Sequence, residues 1–301
     1  MTAFQISVPA SSANLGPAFD SAGIALNLYL ILEVEEQRNW EFIHASDLLP
    51  TITTYEEHYI YQIAKQTADR FGVVLSPCRV TVTSEIPLAR GLGSSAAAVI
   101  AGIELANQLC DLKLTNADIL KFGTELEGHP DNIAASLLGG LIISTLQEDV
   151  HYVQLPLSEL EAVLSIPPFE LMTEDARNVL PATFTRNQAS MASSLSNVLI
   201  AALATGDFTV AGEMMEKDLF HEPYRAGLLP HYKQIKQEAK LAGSYGTVIS
   251  GAGPTMISFT QKGTGTTLAK HLQKLLSDFQ VKVAEIDQQG MQTKTLRPAT
   301  D

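Results

Sequence analysis

The chain has 301 residues, 46% hydrophobic, 18% charged and 7% aromatic, a balance that excludes a disordered or fibrous protein and allows a substantial core. Its 33 acidic and 20 basic side chains give a formal charge of −13. That charge argues against a general nucleic-acid binder and against docking on anionic membranes, but a small anionic ligand still fits a locally positive site.

In chain order, MTAFQISVPA lacks a basic stretch followed by a long apolar core, so no secretory signal is expected and the protein reads as cytoplasmic. Residues 4–8 alternate like a strand, and Pro9 is expected to open a loop of small residues, PASSANLGPAFDSAG (9–23). Small residues let a ligand approach the backbone. Asp20 can bind a substrate amine there, and Asn14 an amine or a carboxylate; an ordinary surface turn accounts for the same composition. Strands are expected at 26–35 and 40–44, a helix over 55–71, and a β-branched strand at 79–84 (RVTVTS).

PLARGLGSSAAA (87–98) follows that strand and leads into a helix expected over 95–109. A strand, a glycine turn and a helix N-terminus form an anion site, because the first N–H groups of a helix have no intrahelical acceptor and carry the positive end of its dipole. Gly91 and Gly93 allow close approach, while Ser94 and Ser95 add hydroxyls that can cap the helix or reach a metal ion. The loop has no lysine, so it is not a Walker P-loop, and a triphosphate there needs backbone dipoles and Mg²⁺ to offset its charge. A glycine turn that merely joins strand to helix explains GLGSS alone equally well. The apolar run 96–109 contains Glu104 and Asn107 and is too short to span a bilayer. The two cysteines, Cys78 and Cys110, lack metal-ligand spacing and are expected to be reduced buried thiols.

Helices are expected over 116–127 and 132–138, joined by TELEGHPDNIAA (124–135), which concentrates Glu125, Glu127, His129, Asp131 and Asn132. A carboxylate here can hold Mg²⁺, and His129 and Asn132 share a face if the segment is helical. A helix stop at Gly128 followed by an Asp-capped helix is the plainer reading. Strands follow at 141–145 and 162–166, helices over 188–203, 208–219, 232–242 and 267–279, and strands at 245–250, 256–260 and 281–286. SGAGPT (250–255) is a third glycine turn, for which a tight hairpin suffices. Arg177 and Arg225 stand out in the second half, since a guanidinium fork suits a carboxylate. Strands and helices mix without a βαβ rhythm, which favours α+β, with a soft boundary between 155 and 165.

Together and in order, PASSANLGPAFDSAG, PLARGLGSSAAA, EGHPDN and SGAGPT resemble the motif set of the GHMP small-molecule kinases over essentially the whole chain. The first and third motifs resemble the homoserine kinase branch. That resemblance implies an α+β fold of two domains, an N-terminal one like domain 2 of ribosomal protein S5 (1–160, ATP-binding) and a ferredoxin-like C-terminal one (161–301). It implies transfer of the ATP γ-phosphoryl group to the side-chain hydroxyl of L-homoserine, toward threonine, with Mg²⁺ as cofactor, ATP and homoserine as partners, and a homodimer. A sibling kinase acting on another alcohol such as mevalonate, or an inactive ATP and metabolite sensor, are the alternatives.

Carried over by motif, Pro87, Leu88, Ala89, Arg90, Gly91, Leu92, Gly93, Ser94, Ser95, Ala96 and Ala97 match the ATP loop. Glu125 falls at the metal-binding glutamate, with Ser94 beside it and Glu127 as the alternative. Asn14, Asp20, His129 and Asn132 match positions that hold homoserine, and Arg177 and Arg225 match the carboxylate clamp. His129, Asn132 and Asp20 are the candidates closest to the chemistry, although Asp20 suits amine binding better than a role as base. Relatives often carry Gly-Ser where this chain has Ala89-Arg90, so Arg90 either crowds the nucleotide or supplies positive charge from the rim.

Overall fold

A computed structural model describes residues 3–296. The first half contains β1 (Ala3–Ala13), β2 (Ala22–Glu36), β3 (Glu41–His44), α1 (Tyr59–Arg70), β4 (Cys78–Ser84), α2 (Ser94–Cys110), α3 (Asn116–Glu127), α4 (Asp131–Leu138), β5 (Leu141–Leu146) and β6 (Val150–Leu155). The second contains β7 (Leu160–Ile166), α5 (Thr173–Asn178), α6 (Arg186–Thr205), α7 (Phe208–Met215), α8 (Glu222–Arg225), α9 (Tyr232–Leu241), β8 (Gly246–Ile249), β9 (Met256–Gln261), α10 (Gly265–Leu275), β10 (Gln280–Glu285) and β11 (Gln292–Leu296).

Two sheets organise these elements, as α+β patterning requires. Seven strands run β11-β1-β2-β4-β3, with β5 on the far end of β2 and β6 beyond it; only the β3–β4 pair is parallel. Four antiparallel strands run β10-β7-β9-β8 in the second sheet. The chain leaves the first sheet after β6, and β11 returns to it by pairing with β1.

The expected loop after Pro9 is a strand as far as Ala13. A register shift between Pro9 and Ala10 absorbs the proline's missing N–H, and the small residues beyond it are buried because α2 and α4 pack on them. Strands β6 and β11 were not expected: VHYVQL and QTKTL are too polar to read as strands, and each is held by pairing to a neighbour. Helix α7 stops at Met215 rather than near 219, and Asp218 caps the turn beyond it by accepting from the N–H groups of Phe220, His221 and Glu222.

Helix α2 is the core of the first layer. It is apolar almost all round because α1, α3, α4, β1 and β2 surround it. Burying Ile100, Ile103 and Leu105 contributes about 1.5–3 kcal/mol each. A Cβ on Gly102 would stand 2.8 Å from the Ile60 carbonyl oxygen, so glycine sets the close crossing of α1 and α2. Both cysteines are free; burial pushes the Cys78 thiol up to about 12, whereas Cys110 is only half-buried. Among the described residues, no helix is long and apolar enough to cross a membrane.

Candidate active site

One cavity of about 650 Å³ opens where the β1–β2 loop, the N-terminus of α2, the α3–α4 junction, α5, α8 and the β8–β9 turn converge. At one end stands α2. Its N-cap, Gly93, has no side chain, and no side chain caps the first turn, so the dipole end faces the cavity through Gly93, Ser94 and Ser95. Left-handed backbone at Ala89 (φ 50°), Gly91 (φ 73°) and Gly93 (φ 69°) coils the loop into that position.

Gly91 is required by a protein contact rather than by ligand approach. A Cβ there would lie 2.2 Å from the Ser250 carbonyl oxygen. The β8–β9 hairpin turn, SGAGPT, is pressed against the loop. Ser250 Oγ donates to Gly91 O (2.6 Å) and lies 2.8 Å from Ser12 Oγ, from which it can accept, and Gly251 N donates to Ala13 O (3.2 Å). The third glycine motif is therefore a clamp on the first two.

At the other end the site is built from charged side chains. Arg177 donates to both carboxylate oxygens of Asp20, at 2.9 and 3.3 Å. Arg225 is 1% exposed and lies 5.4 Å from the Phe19 ring centroid. Burial, then the nearby Arg177 charge, lowers its pKa to about 10, which leaves it protonated at neutral pH. Its Nε donates to Ala176 O and its Nη1 to Gly251 O and His221 Nδ1, each at 3.0 Å. Of five guanidinium N–H groups three are spent, and among the described residues Nη2 has no partner.

Asp131 is buried and organises the α3–α4 junction. Its Oδ1 meets His129 Nδ1 at 2.7 Å and accepts from Asn132 N at 2.7 Å. Asn132 Oδ1 accepts from Ser11 Oγ (3.0 Å), which in turn accepts from Ser136 Oγ (2.9 Å). Burial pulls the His129 pKa down, but the Asp131 hydrogen bond and the Asp131 and Glu127 charges outweigh it and hold the value above the ordinary one.

Asn14, Asp20, His129, Asn132, Arg177 and Arg225 all line this cavity, as do Leu88, Ala89, Gly91, Gly93, Ser94 and Ser95. Asn14 is consumed internally: its Nδ2 donates to Gly251 O and its Oδ1 accepts from Asp20 N, both at 2.9 Å. Leu92, Ala96 and Ala97 turn their side chains into the core instead. Pro87 and Arg90 lie outside the cavity, on a recess toward the second sheet. Arg90 is held away from the cavity by partners within the protein. Its guanidinium is spent on the carbonyls of Leu88, Pro167 and Pro168 and on Glu170, stapling the loop to the end of β7.

Glu125 requires correction as the metal ligand. It points away from the cavity on the exposed face of α3, paired with Arg70 at 2.6 Å. Two residues further on, the helix brings Glu127 to the cavity wall, where its Oε2 accepts from Ser95 Oγ at 3.0 Å. Pattern reading also passes over the apolar lobe of the cavity, formed by Leu49, Pro50, Ile52, Ile60 and Ile86, and over His221 behind Arg225. The lobe's residues are scattered over three segments and share no local signal. His221 carries one: it is four residues before Arg225 in HEPYR, the spacing of one helical turn.

An α+β fold with this lysine-free glycine loop and an open helix N-terminus defines a class. The chain belongs to the GHMP kinase family, matching the models for the GHMP kinases N terminal domain over residues 58–140 and the GHMP kinases C terminal region over residues 199–278. Within it the chain falls among the homoserine kinases. It is 51% identical to the homoserine kinase of Oceanobacillus iheyensis over 294 residues, 97% of this chain and 99% of the relative. The crystal structure of homoserine kinase from Cytophaga hutchinsonii superposes with a TM-score of 0.84 at 28% identity, covering 97% of each chain. A more distant fold neighbour, TM-score 0.71 at 15% identity over 98% of this chain and 99% of its own, is MDDEF in complex with MVAPP, AMPPCP and magnesium.

Proposed function

We propose that this cavity transfers the γ-phosphoryl group of ATP to the side-chain hydroxyl of L-homoserine, giving O-phospho-L-homoserine. The observation that carries the reading is the meeting, in one cavity, of an uncapped helix N-terminus and a buried arginine with two unspent donors. Backbone N–H groups of the Gly91–Gly93 loop and the first turn of α2 take the phosphates, and the apolar lobe takes the base.

Ser94, Ser95 and Glu127 offer hard oxygen ligands at the same end, and no group of three His, Cys, Asp or Glu suited to a metal occurs among the described residues. That sparse set fits Mg²⁺, which takes one or two protein oxygens and keeps water and substrate phosphates for the rest. Ser94, Ser95 and Glu127 would hold the ion, which would supply charge compensation for the phosphates.

The Asp20–Arg177 pair explains a preference for an amino acid. A zwitterion divides the pair without stranding a charge: its ammonium takes Asp20, and its carboxylate takes Arg177 and the Nη2 edge of Arg225. Mevalonate has the carboxylate but no ammonium, and leaves Asp20 uncompensated. Asn132 and His129, fixed by Asp131, orient the hydroxyl for in-line attack. Alignment and charge supply most of the catalysis in such transfers. The acting form is proposed to be a cytoplasmic homodimer, which light scattering of the purified protein tests for its subunit number.

The discriminating experiment is ADP release from Mg-ATP with homoserine, threonine, serine, mevalonate and galactose in parallel. Homoserine is expected to be turned over far above the others. Turnover of another alcohol in its place moves the chain to a sibling activity, and nucleotide binding without turnover on any of them makes it a sensor.

A further inference from the structure

We propose that His221, a residue behind the cavity wall, is the positioning residue that presents Arg225 to the substrate carboxylate; the inference rests on the reading of Arg225 as carboxylate anchor. His221 is wholly buried, and both ring nitrogens are committed. Nε2 lies 3.0 Å from the Gly16 carbonyl oxygen, and Nδ1 lies 3.0 Å from Arg225 Nη1. A carbonyl only accepts and a guanidinium only donates, so one tautomer satisfies both: Nε2 carries the proton and Nδ1 offers its lone pair. A protonated ring would present a second N–H to the arginine.

Burial acts in the same direction, pulling the His221 pKa down. Asp218 (3.5 Å from Nε2) and Glu222 oppose that pull, and the Arg225 charge reinforces it. Backbone and ring are both held in place. Asp218 accepts the N–H groups of His221 and Glu222, Gly16 O accepts from Nε2, and the ring stacks on Phe19 at 5.2 Å. Phe19 directly precedes Asp20. His221 thus ties the backbone of the amine-binding loop to the carboxylate-binding arginine.

The choice of a neutral imidazole has a physical consequence. A carboxylate in direct contact with Arg225 would hold the guanidinium plane and also cancel its charge. Neutral His221 takes the hydrogen bond and leaves the charge for the ligand. With Ala176 O, Gly251 O and His221 Nδ1 as its three acceptors, the guanidinium can rest in one plane, and Nη2 is the edge left for the cavity it lines. Loss of the imidazole acceptor leaves a buried, charged N–H without a partner, which favours rotation of the fork away from the ligand.

The test compares homoserine with 2-amino-1,4-butanediol, which lacks the carboxylate, in steady-state kinetics of His221→Phe and His221→Asn. Phenylalanine keeps the ring against Phe19 and removes both nitrogens, whereas asparagine can place Oδ1 where Nδ1 was. His221→Phe is expected to raise the homoserine KM roughly ten- to a hundredfold, with kcat and the ATP KM changing less than about threefold and the diol KM unmoved. His221→Asn is expected to restore most of the homoserine KM. An equal rise for homoserine and the diol, or no rescue by asparagine, overturns the proposal. If the phenylalanine variant does not fold, His221→Gln replaces it. Glutamine keeps a donor for Gly16 but not the acceptor for Arg225, so it should show the KM rise that asparagine avoids; the reverse order also overturns the proposal. Wild-type protein that fails to distinguish homoserine from the diol defeats the carboxylate-anchor reading itself, a different result.

Discussion

The two ends of the cavity are made of different materials. The end beneath α2 consists of backbone and small side chains, most of them contiguous in 87–98, with Glu127 alone supplying a formal charge at its edge. The opposite end consists of Asp20, Arg177, Arg225 and His129, drawn from four segments and balanced against one another. A site built from dipoles is tuned by shape, because its partial charges move only with the chain. A site built from ionised side chains is tuned by pairing, because each charge must be compensated whether or not substrate is present. Substitutions at the first end should therefore act through packing and nucleotide affinity, and substitutions at the second through homoserine alone.

Arg225→Met should break this division most strongly. Removing a buried cation from the proposed carboxylate site should lower kcat/KM for homoserine roughly a hundred- to a thousandfold, with the ATP KM unchanged. Steady-state kinetics in both substrates read it, and matching losses for both would dissolve the distinction between the ends.

Gly91→Ala probes the other end. Its Cβ would meet the Ser250 carbonyl at 2.2 Å in left-handed backbone, so a loss of about 1–3 kcal/mol in denaturant unfolding and a raised ATP KM are expected. Gly128→Ala is the control, since it is also left-handed but opens on empty space. Its cost should be backbone strain alone, about 1–2 kcal/mol, with the ATP KM untouched. If the two alanine variants behave alike, the hairpin clamp on the loop has no energetic weight.

Glu127→Gln should raise the Mg²⁺ concentration for half-maximal rate by roughly tenfold. Glu125→Gln should leave it unchanged and alter stability by less than about 1 kcal/mol, as befits an exposed pair with Arg70. A magnesium titration in which Glu125→Gln gives the larger shift would return the ligand to that residue.

Asp131→Asn is the finest probe. It removes the charge that holds the His129 pKa up and leaves the burial that pulls it down, so an NMR titration should find the value fallen below the ordinary one. The sign carries into stability. A raised folded-state pKa means the folded form binds the proton more tightly, so the stabilisation is full below the unfolded value near 6.5 and fades as pH rises through the folded value. That slope should reverse in the variant, stability now rising with pH across the same range; a slope that keeps its sign would mean Asp131 does not hold His129.

The glycine loop, the helix behind it and the HPDN cluster are legible because their signals are local. Glycines, helix-capping residues and apolar runs act on neighbours a few positions away. Glu125 and Glu127 mark the limit of that reading. Two carboxylates two residues apart on a helix point to different sides, and only the packing of α3 selects which one meets Ser95. Arg90 marks it again: its charge suits a phosphate, yet the carbonyls of Pro167 and Pro168 and the Glu170 carboxylate, brought near by the second sheet, together with the neighbouring Leu88 carbonyl, claim it first. Strand β1 runs on beyond Pro9 although small residues signal a loop, because here they allow α2 and α4 to lie close on the sheet.

Residue order alone determined that this chain makes an α+β fold with a helix N-terminus behind a lysine-free glycine loop, since dipoles and glycine conformations arise within a few consecutive residues. Tertiary structure alone decided which charges face the ligand and which are spent inside the protein. A donor or acceptor is claimed by whatever partner the fold brings within about 3 Å, and those partners come from segments the sequence keeps far apart.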